Sequence, residues 1–324
     1  MALQPLGRMV SRNFKFDFIS VRAIPFALSA ILVVASLVSL AVQGLNFGID
    51  FAGGALVEVR SDHDVDLADL RGRLNGLGLG DVSITTFGDT GRDVMIRVQE
   101  QEGGDAAQNV ALKLVQGELG EGFELRRTEV VGPKVGAELI IDGALAVALA
   151  LIGIMIYVWL RFEWQFAMGA VLSLTHDVIT TIGIFSIFQI EFNLNTVAAV
   201  LTIAGFSIND TVVVYDRVRE MMRKYKKLTL PNLLNFALNS VLMRTITTTF
   251  TTALAVVALI VFGGEVLRGF SVAMLWGMIV GTYSTIYVAL PVLVYFDLRR
   301  DDMVGTVSND GQRQVPEYER GPAE

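Results

Sequence analysis

Six long apolar stretches constrain this chain more than any other feature. A bilayer core takes about 20 apolar residues as helix, and spans are predicted at 21–43, 139–160, 166–188, 194–216, 241–263 and 268–296. The chain is 52% hydrophobic and only 18% charged, which argues against a soluble enzyme and, for most of its length, against disorder. The first stretch is too long and too late for a cleaved signal peptide, and no small-residue cleavage site follows it. Pro25 stands near its start, where a missing N–H costs least. Pro291 in the last span predicts a kink there.

Lys and Arg near the spans set the orientation. Arg8, Arg12, Lys15 and Arg22 precede the first span, and Arg217, Arg219, Arg223, Lys224, Lys226 and Lys227 follow the fourth. Arg299 and Arg300 follow the sixth, whereas the opposite loops hold Glu191, Glu265 and Arg268. Both termini, 1–20 and 297–324, are therefore expected in the cytoplasm, together with a basic loop at 217–240. The tail beyond 301 is polar and reads as disordered.

Residues 44–138 separate the first two spans and carry 17 acids against 9 bases. That is too long for a bare connection. Residues 55–60 alternate like a strand, and 67–77 carry apolar residues at helical spacing. Strands are predicted at 82–87 and 94–98, with Gly88 and Gly91 in the turn between them. A helix over 106–119 with Asp105 as its N-cap and a strand over 123–131 complete a β-α-β-β-α-β order. This is the ferredoxin-like pattern. The predicted class is thus a six-helix membrane protein with one α+β domain, outside the membrane, between helices 1 and 2.

Several chemistries are excluded by residue type. There is no Cys and only two His, so thiol nucleophiles, thiolate metal sites and a multi-His site have no basis. His63 lies among Asp62, Asp64 and Asp66 and reads as a solvated loop, a metal site being the alternative. The net charge of −7 argues against nucleic acid. His-Glu-x-x-His, Gly-x-Ser-x-Gly and a P-loop are all lacking, against a protease or an ATPase. No enzyme activity, cofactor or metal is expected.

Ionisable residues inside spans are functional candidates, each costing about 2.5–3.5 kcal/mol to insert at a helix centre. His176 and Asp177 lie mid-way along the third span. They either lock helices by a hydrogen bond or line a cavity. Asp210 lies in the fourth span, and Arg244 opens a threonine-rich run in the fifth, with Thr248 one turn on. Asp210 and Arg244 form either a static buried pair or a protonation switch that trades an ion pair for a neutral acid and a free Arg. Asp216 sits at the interface and reads as structural or as part of an Asp–Arg surface pair.

These residues fall in a pattern that runs along the chain. Phe16-Asp-Phe18 precedes the first span and Asn46-Phe-Gly-Ile-Asp-Phe-Ala-Gly-Gly54 follows it. Val131-Gly-Pro-Lys-Val-Gly-Ala-Glu138 ends the outer domain. His176-Asp177-Val178, Ser207-Ile-Asn-Asp-Thr-Val-Val-Val-Tyr-Asp-Arg-Val-Arg-Glu220, Arg244-Thr245, Gly263-Gly264 and Gly281-Thr-Tyr-Ser-Thr-Ile-Tyr287 mark the later spans. Over about residues 14–300 the chain resembles the SecD/SecF family of bacterial protein-export membrane subunits, within the resistance-nodulation-division (RND) superfamily.

The resemblance implies a multi-pass protein of the inner membrane that pairs with SecD beside the SecYEG translocon. It implies use of the proton motive force to draw unfolded polypeptides outward. Protons, the translocating polypeptide and membrane lipids are the implied partners. It places Asp210, Arg244 and Thr248, with His176 and Asp177, on the proton pathway, and Gly48, Asp50, Gly53, Gly54 and Asn209 in family motifs. Two other readings stand beside it: a proton-driven RND exporter of lipids or small molecules, and a non-transporting assembly subunit.

Overall fold

The computed structural model describes residues 16–298, apart from 81, 89, 90, 121 and 297. The 297–324 tail, expected to be disordered, and most of the 1–20 segment lie outside the described residues. Helix α1 (Ala23–Val42) leads to a single-turn α2 (Ile49–Ala52) and then to the α+β domain. Its elements are β1 (Gly54–Ser61), α3 (Leu67–Asn75), β2 (Val82–Phe87), β3 (Asp93–Val98), α4 (Gly104–Leu119) and β4 (Phe123–Val131). Five further membrane-length stretches follow. They are α5 (Pro133–Arg161), α6 (Trp164–Ile187), α7 (Leu194–Lys224), α8 (Leu230–Phe262), and α9 (Gly264–Ser284) continued by a π turn (Thr285–Ala289) and α10 (Leu290–Tyr295). The protein therefore has six membrane-length helical stretches with the α+β domain between the first and second, the class predicted from the pattern.

The sheet is antiparallel in the order β2-β3-β1-β4, with Val57 facing Ile96 and Thr128 on its neighbours. Helices α3 and α4 cover one face, burying Leu70, Leu74, Val115 and Ile96 completely or nearly so. Asp66 caps α3 by accepting from the amides of Ala68 and Asp69. Helix α4 starts earlier than expected, at Gly104. Its N-cap is Gly103 in a left-handed conformation rather than Asp105, because a glycine pair turns the chain before the acid is reached.

In the bundle, α7 and α9 lie side by side, α6 packs on both, α1 on α6, and α8 on α7 and α9. Helix α1 turns small residues inward, where Ser39 and Ser186 hydroxyls meet at 2.7 Å. This is the close approach that small residues allow between helices in lipid. Helix α5 lies at the periphery, with Leu145, Leu149, Ile152 and Ile156 exposed.

The basic loop expected at 217–240 is mostly helix. Helix α7 runs on to Lys224 and α8 begins at Leu230, leaving only 225–229 as connection. Polarity marked the end of the apolar span but not of the helix, because Met221, Met222, Leu233, Leu234 and Leu238 bury an apolar seam between the two extensions. Asp216 pairs with Arg161 at 3.2 Å. Arg217, its sequence neighbour, bonds Glu220 and Ser240 instead. The 16–19 segment is strapped to α8 by Asn235, which accepts from the amides of Phe18 and Ile19, and by Asn239, which accepts from that of Phe16. The irregularity before Pro291 is the π turn, as expected where a residue without an N–H breaks the i→i−4 ladder.

Candidate functional site

Asp177 is fully buried at the junction of α6, α7 and α9. One carboxylate oxygen accepts from Ser207 Oγ at 2.5 Å and Ser284 Oγ at 2.8 Å. The other lies 2.9 Å from His176 Nδ1. Ser173 donates in turn to Ser284 at 2.9 Å. Adjacent helical positions point about 100° apart, yet the two side chains of the His-Asp pair swing together and bond. A residue with a Cβ at Gly281 would place it 3.1 Å from Ser207 Cβ and 3.6 Å from Asp177 Oδ2, so the glycine lets α9 close on the carboxylate. His176 keeps Nε2 buried with no partner and its ring 6.4 Å from that of Tyr283.

Asp210 lies one helical turn from Ser207 and is 7% exposed. Thr245 of α8 donates to its Oδ1 at 3.3 Å, and Oδ2 is buried with no partner. Arg244 makes no hydrogen bond with it, although its charge lies near enough to act on the carboxylate. The rotation between neighbours that turns Thr245 inward turns Arg244 outward, where it is exposed. The expected contact is therefore open in this arrangement, and the threonine beside the arginine occupies it. Thr248 is exposed and donates back to the Arg244 carbonyl at 2.8 Å, the local bond open to a helical threonine. One turn on from Ser207, the hydroxyls of Thr211 and of Thr285 in the π turn meet at 2.9 Å, so side-chain hydroxyls follow α7 from Asp177 to the level of Asp210. Asn209, placed in the same motif, is exposed.

A third cluster lies at the other end of α7. The Gly48 amide donates to the Phe192 carbonyl and the Phe192 amide to that of Asn46. The rings of Phe47, Phe51 and Phe192 lie within 5.8–6.4 Å of one another, Phe51 stacked on Phe192 and Phe47 edge-on to both. Asp50 accepts from the amide of Leu194, the first residue of α7, at 2.9 Å. A carboxylate at a helix N-terminus is favoured by the exposed amides and the dipole. Gly53 and Gly54 have φ of +74° and +118°, and a Cβ on Gly54 would stand 2.4 Å from the Val98 carbonyl. These glycines thus turn the chain out of α2 and into the sheet.

Both the fold and this motif geometry have counterparts. A family model described as protein export membrane protein SecD/SecF, C-terminal, matches residues 112–299, and one for the SecD/SecF GG motif matches 38–65. The chain belongs to the SecD/SecF family. The protein translocase subunit SecF of Rickettsia rickettsii is 43% identical, with 93% of this chain and 97% of that one covered. That of Pseudomonas aeruginosa is 44% identical over 91% and 95%. The crystal structure of SecDF from Thermus thermophilus, a translocon-associated membrane protein, superposes with a TM-score of 0.78 at 33% identity. A SecDF structure in a super-membrane-facing form gives 0.66 at 32%. Each covers 90% of this chain, which spans 40% of theirs. At equal coverage, the two SecDF structures differ in how far their elements superpose on this SecD/SecF chain.

His176 and Asp177 thus meet at the α6–α7–α9 junction and Asp210 lies one turn on, against α8, whereas Arg244, Thr248 and Asn209 are exposed. Sequence reasoning did not single out Ser173, Ser207, Ser284 and Thr245, the hydroxyls that partner the acids. Ser207 and Ser284 stood inside quoted motifs, and small polar residues inside spans were the available signal. His63 contributes no charge cluster: Asp66 caps α3 and Asp64 pairs with Arg92. Among the described residues no group of three metal-ligating side chains occurs.

Proposed function

We propose that this Sec-pathway subunit acts with SecD in the inner membrane, both termini in the cytoplasm, and couples the proton motive force to late export of unfolded polypeptides through SecYEG. The observation that carries the reading is Asp210: a carboxylate buried in a helix bundle with one oxygen unpartnered, beside α8, whose exposed Arg244 makes no hydrogen bond to it. A buried acid releases its proton when it gains a cationic partner and takes one up when it loses that partner. Rotation of α8 by about one helical position would exchange Thr245 for Arg244 opposite Asp210. The hydroxyl seam to Asp177 and the open Nε2 of His176 supply further proton-bearing groups, and Thr248 keeps the Arg244 carbonyl occupied. The Lys/Arg asymmetry supports the orientation, and the SecF and SecDF relatives support the partners.

Asp210→Asn keeps the shape and removes the titration. In membrane vesicles it is expected to leave insertion and SecD association unchanged, and to abolish the proton-gradient-dependent part of export. Normal gradient-dependent export by this variant at wild-type levels would refute the coupling and leave a non-transporting assembly role.

A further inference from the structure

The extensions of α7 and α8 end in a group of cations that no carboxylate answers. Between Arg217 and Lys227 stand six basic residues and one acid, Glu220. Those nearer the bundle are paired. Arg217 bonds Glu220 and Ser240, and Arg219 bonds Glu163. Arg223, Lys224, Lys226 and Lys227 are exposed, and none of them forms an ion pair among the described residues. Arg223 and Lys224 lie in the last turn of α7, where the helix dipole favours cations. Lys226 and Lys227 lie beyond the helix, and the fold gives no reason for their charge.

The tip that carries these residues is held in place. Tyr225 sets its ring edge-on to Phe236 of α8 at 5.4 Å, and Met221, Met222, Leu233 and Leu234 are buried beneath it. Its height follows from the ion pairs. Asp216 and Arg219 are held beside the α5–α6 turn by Arg161 and Glu163. That end of the bundle exposes Tyr157, Trp159, Trp164 and Tyr295, and aromatic rings gathered at one end of a set of spans mark the level where lipid headgroups begin. From Arg219 to Lys224 the helix rises about 7.5 Å. The headgroup layer is about 5–8 Å thick on each side of the bilayer. The four cations therefore stand at its outer margin, and side chains of this length bend back toward it.

We propose that residues 223–227 dock on the phosphate groups of anionic phospholipids in the adjacent leaflet. Four unpaired cations on a fixed tip at headgroup height complement a negatively charged surface, and basic clusters of this size beside a span are drawn to such lipids. The docking holds the ends of α7 and α8, the two helices that bring Asp210 and Thr245 together. The leaflet is the inner one on the orientation proposed above; proton coupling is not required.

The chain has no Cys, so a spin label at T229C reports on the tip alone; Thr229 is exposed and its side chain makes no capping bond. The full chain is placed in nanodiscs of phosphatidylcholine, with or without one-third phosphatidylglycerol. The anionic disc is expected to slow the label, and high salt to release it. K226Q/K227Q removes two exposed charges. At about fivefold per charge, binding should weaken by about 30-fold and the slowing should vanish. K113Q, at an exposed position on α4 of the α+β domain, should leave the slowing unchanged. A label equally mobile in both discs, or slowed as much in K226Q/K227Q, overturns the docking. Slowing by inorganic phosphate in the phosphatidylcholine disc would assign the tip to a soluble anion, and slowing seen only when the membrane partner is added would assign it to an acidic protein surface; both overturn the lipid reading. Labelling of T229C with an impermeant maleimide tests the orientation separately: access from the outer side of intact cells would sink the orientation whatever the nanodiscs show.

Discussion

Replacing Asp177 by Ala tests whether the carboxylate joins three helices. The substitution removes one acceptor group and strands three donors: Ser207 Oγ at 2.5 Å, Ser284 Oγ at 2.8 Å and His176 Nδ1 at 2.9 Å. Hydrogen bonds between membrane helices average about 0.6 kcal/mol and reach about 1.7. Three of them predict a loss of about 2–5 kcal/mol, toward the upper end because the site is fully buried. Asp177→Asn fills the same space and should lose less, about 1–2 kcal/mol, since hydroxyls rotate; Ser284 already has the Gly281 carbonyl at 3.1 Å as a second acceptor. The measurement is reversible unfolding in mixed micelles. Ser284→Ala combined with Asp177→Ala should cost less than the two singles together, because both remove one shared contact. An Asp177→Ala protein within about 0.5 kcal/mol of wild type, or strict additivity with Ser284→Ala, would show that the carboxylate does not hold the seam together.

Glu58 offers a pH test outside the membrane. Burial on the sheet raises its carboxyl above the usual range; Arg127 opposes this and Glu129 adds to it. A raised folded value means the folded state binds the proton more tightly than the unfolded state. The cost of ionisation is therefore absent below the ordinary value of about 4.5 and grows as pH rises through the folded value. Glu58→Gln should raise the domain's unfolding free energy at neutral pH, by up to about 1 kcal/mol given solvent screening, with the gain vanishing in acid; a gain at all pH values would contradict the assignment. At the opposite end of the molecule, Asn235→Ala should free the 16–19 strap. It costs about 1–3 kcal/mol, and amide exchange should accelerate at Phe18 and Ile19, whose N–H groups bond Asn235 at 2.9 and 3.1 Å. Unchanged exchange there would show that the strap is held by other contacts.

Apolar length, alternation and helical spacing along the chain were enough to predict the six spans and the strand–helix order of the outer domain, because both depend on periods read locally. The acids also announced themselves, since a carboxylate within an apolar run has few explanations. What the linear pattern left open was direction around each helix. Arg244 and Thr245 are neighbours in sequence, and only the packing of α8 on α7 decides that Thr245 meets Asp210 while Arg244 faces out. The same holds for Asp177, whose alternatives were equal until Ser207 and Ser284 were seen to close on it from two other helices. The polar extensions of α7 and α8 were hidden because charge ends a span but not a helix. The buried seam through Leu234 and Met222 exists only once the two extensions meet. The Arg97–Glu191 contact joins residues 94 positions apart, and no local period carries a pairing at that separation.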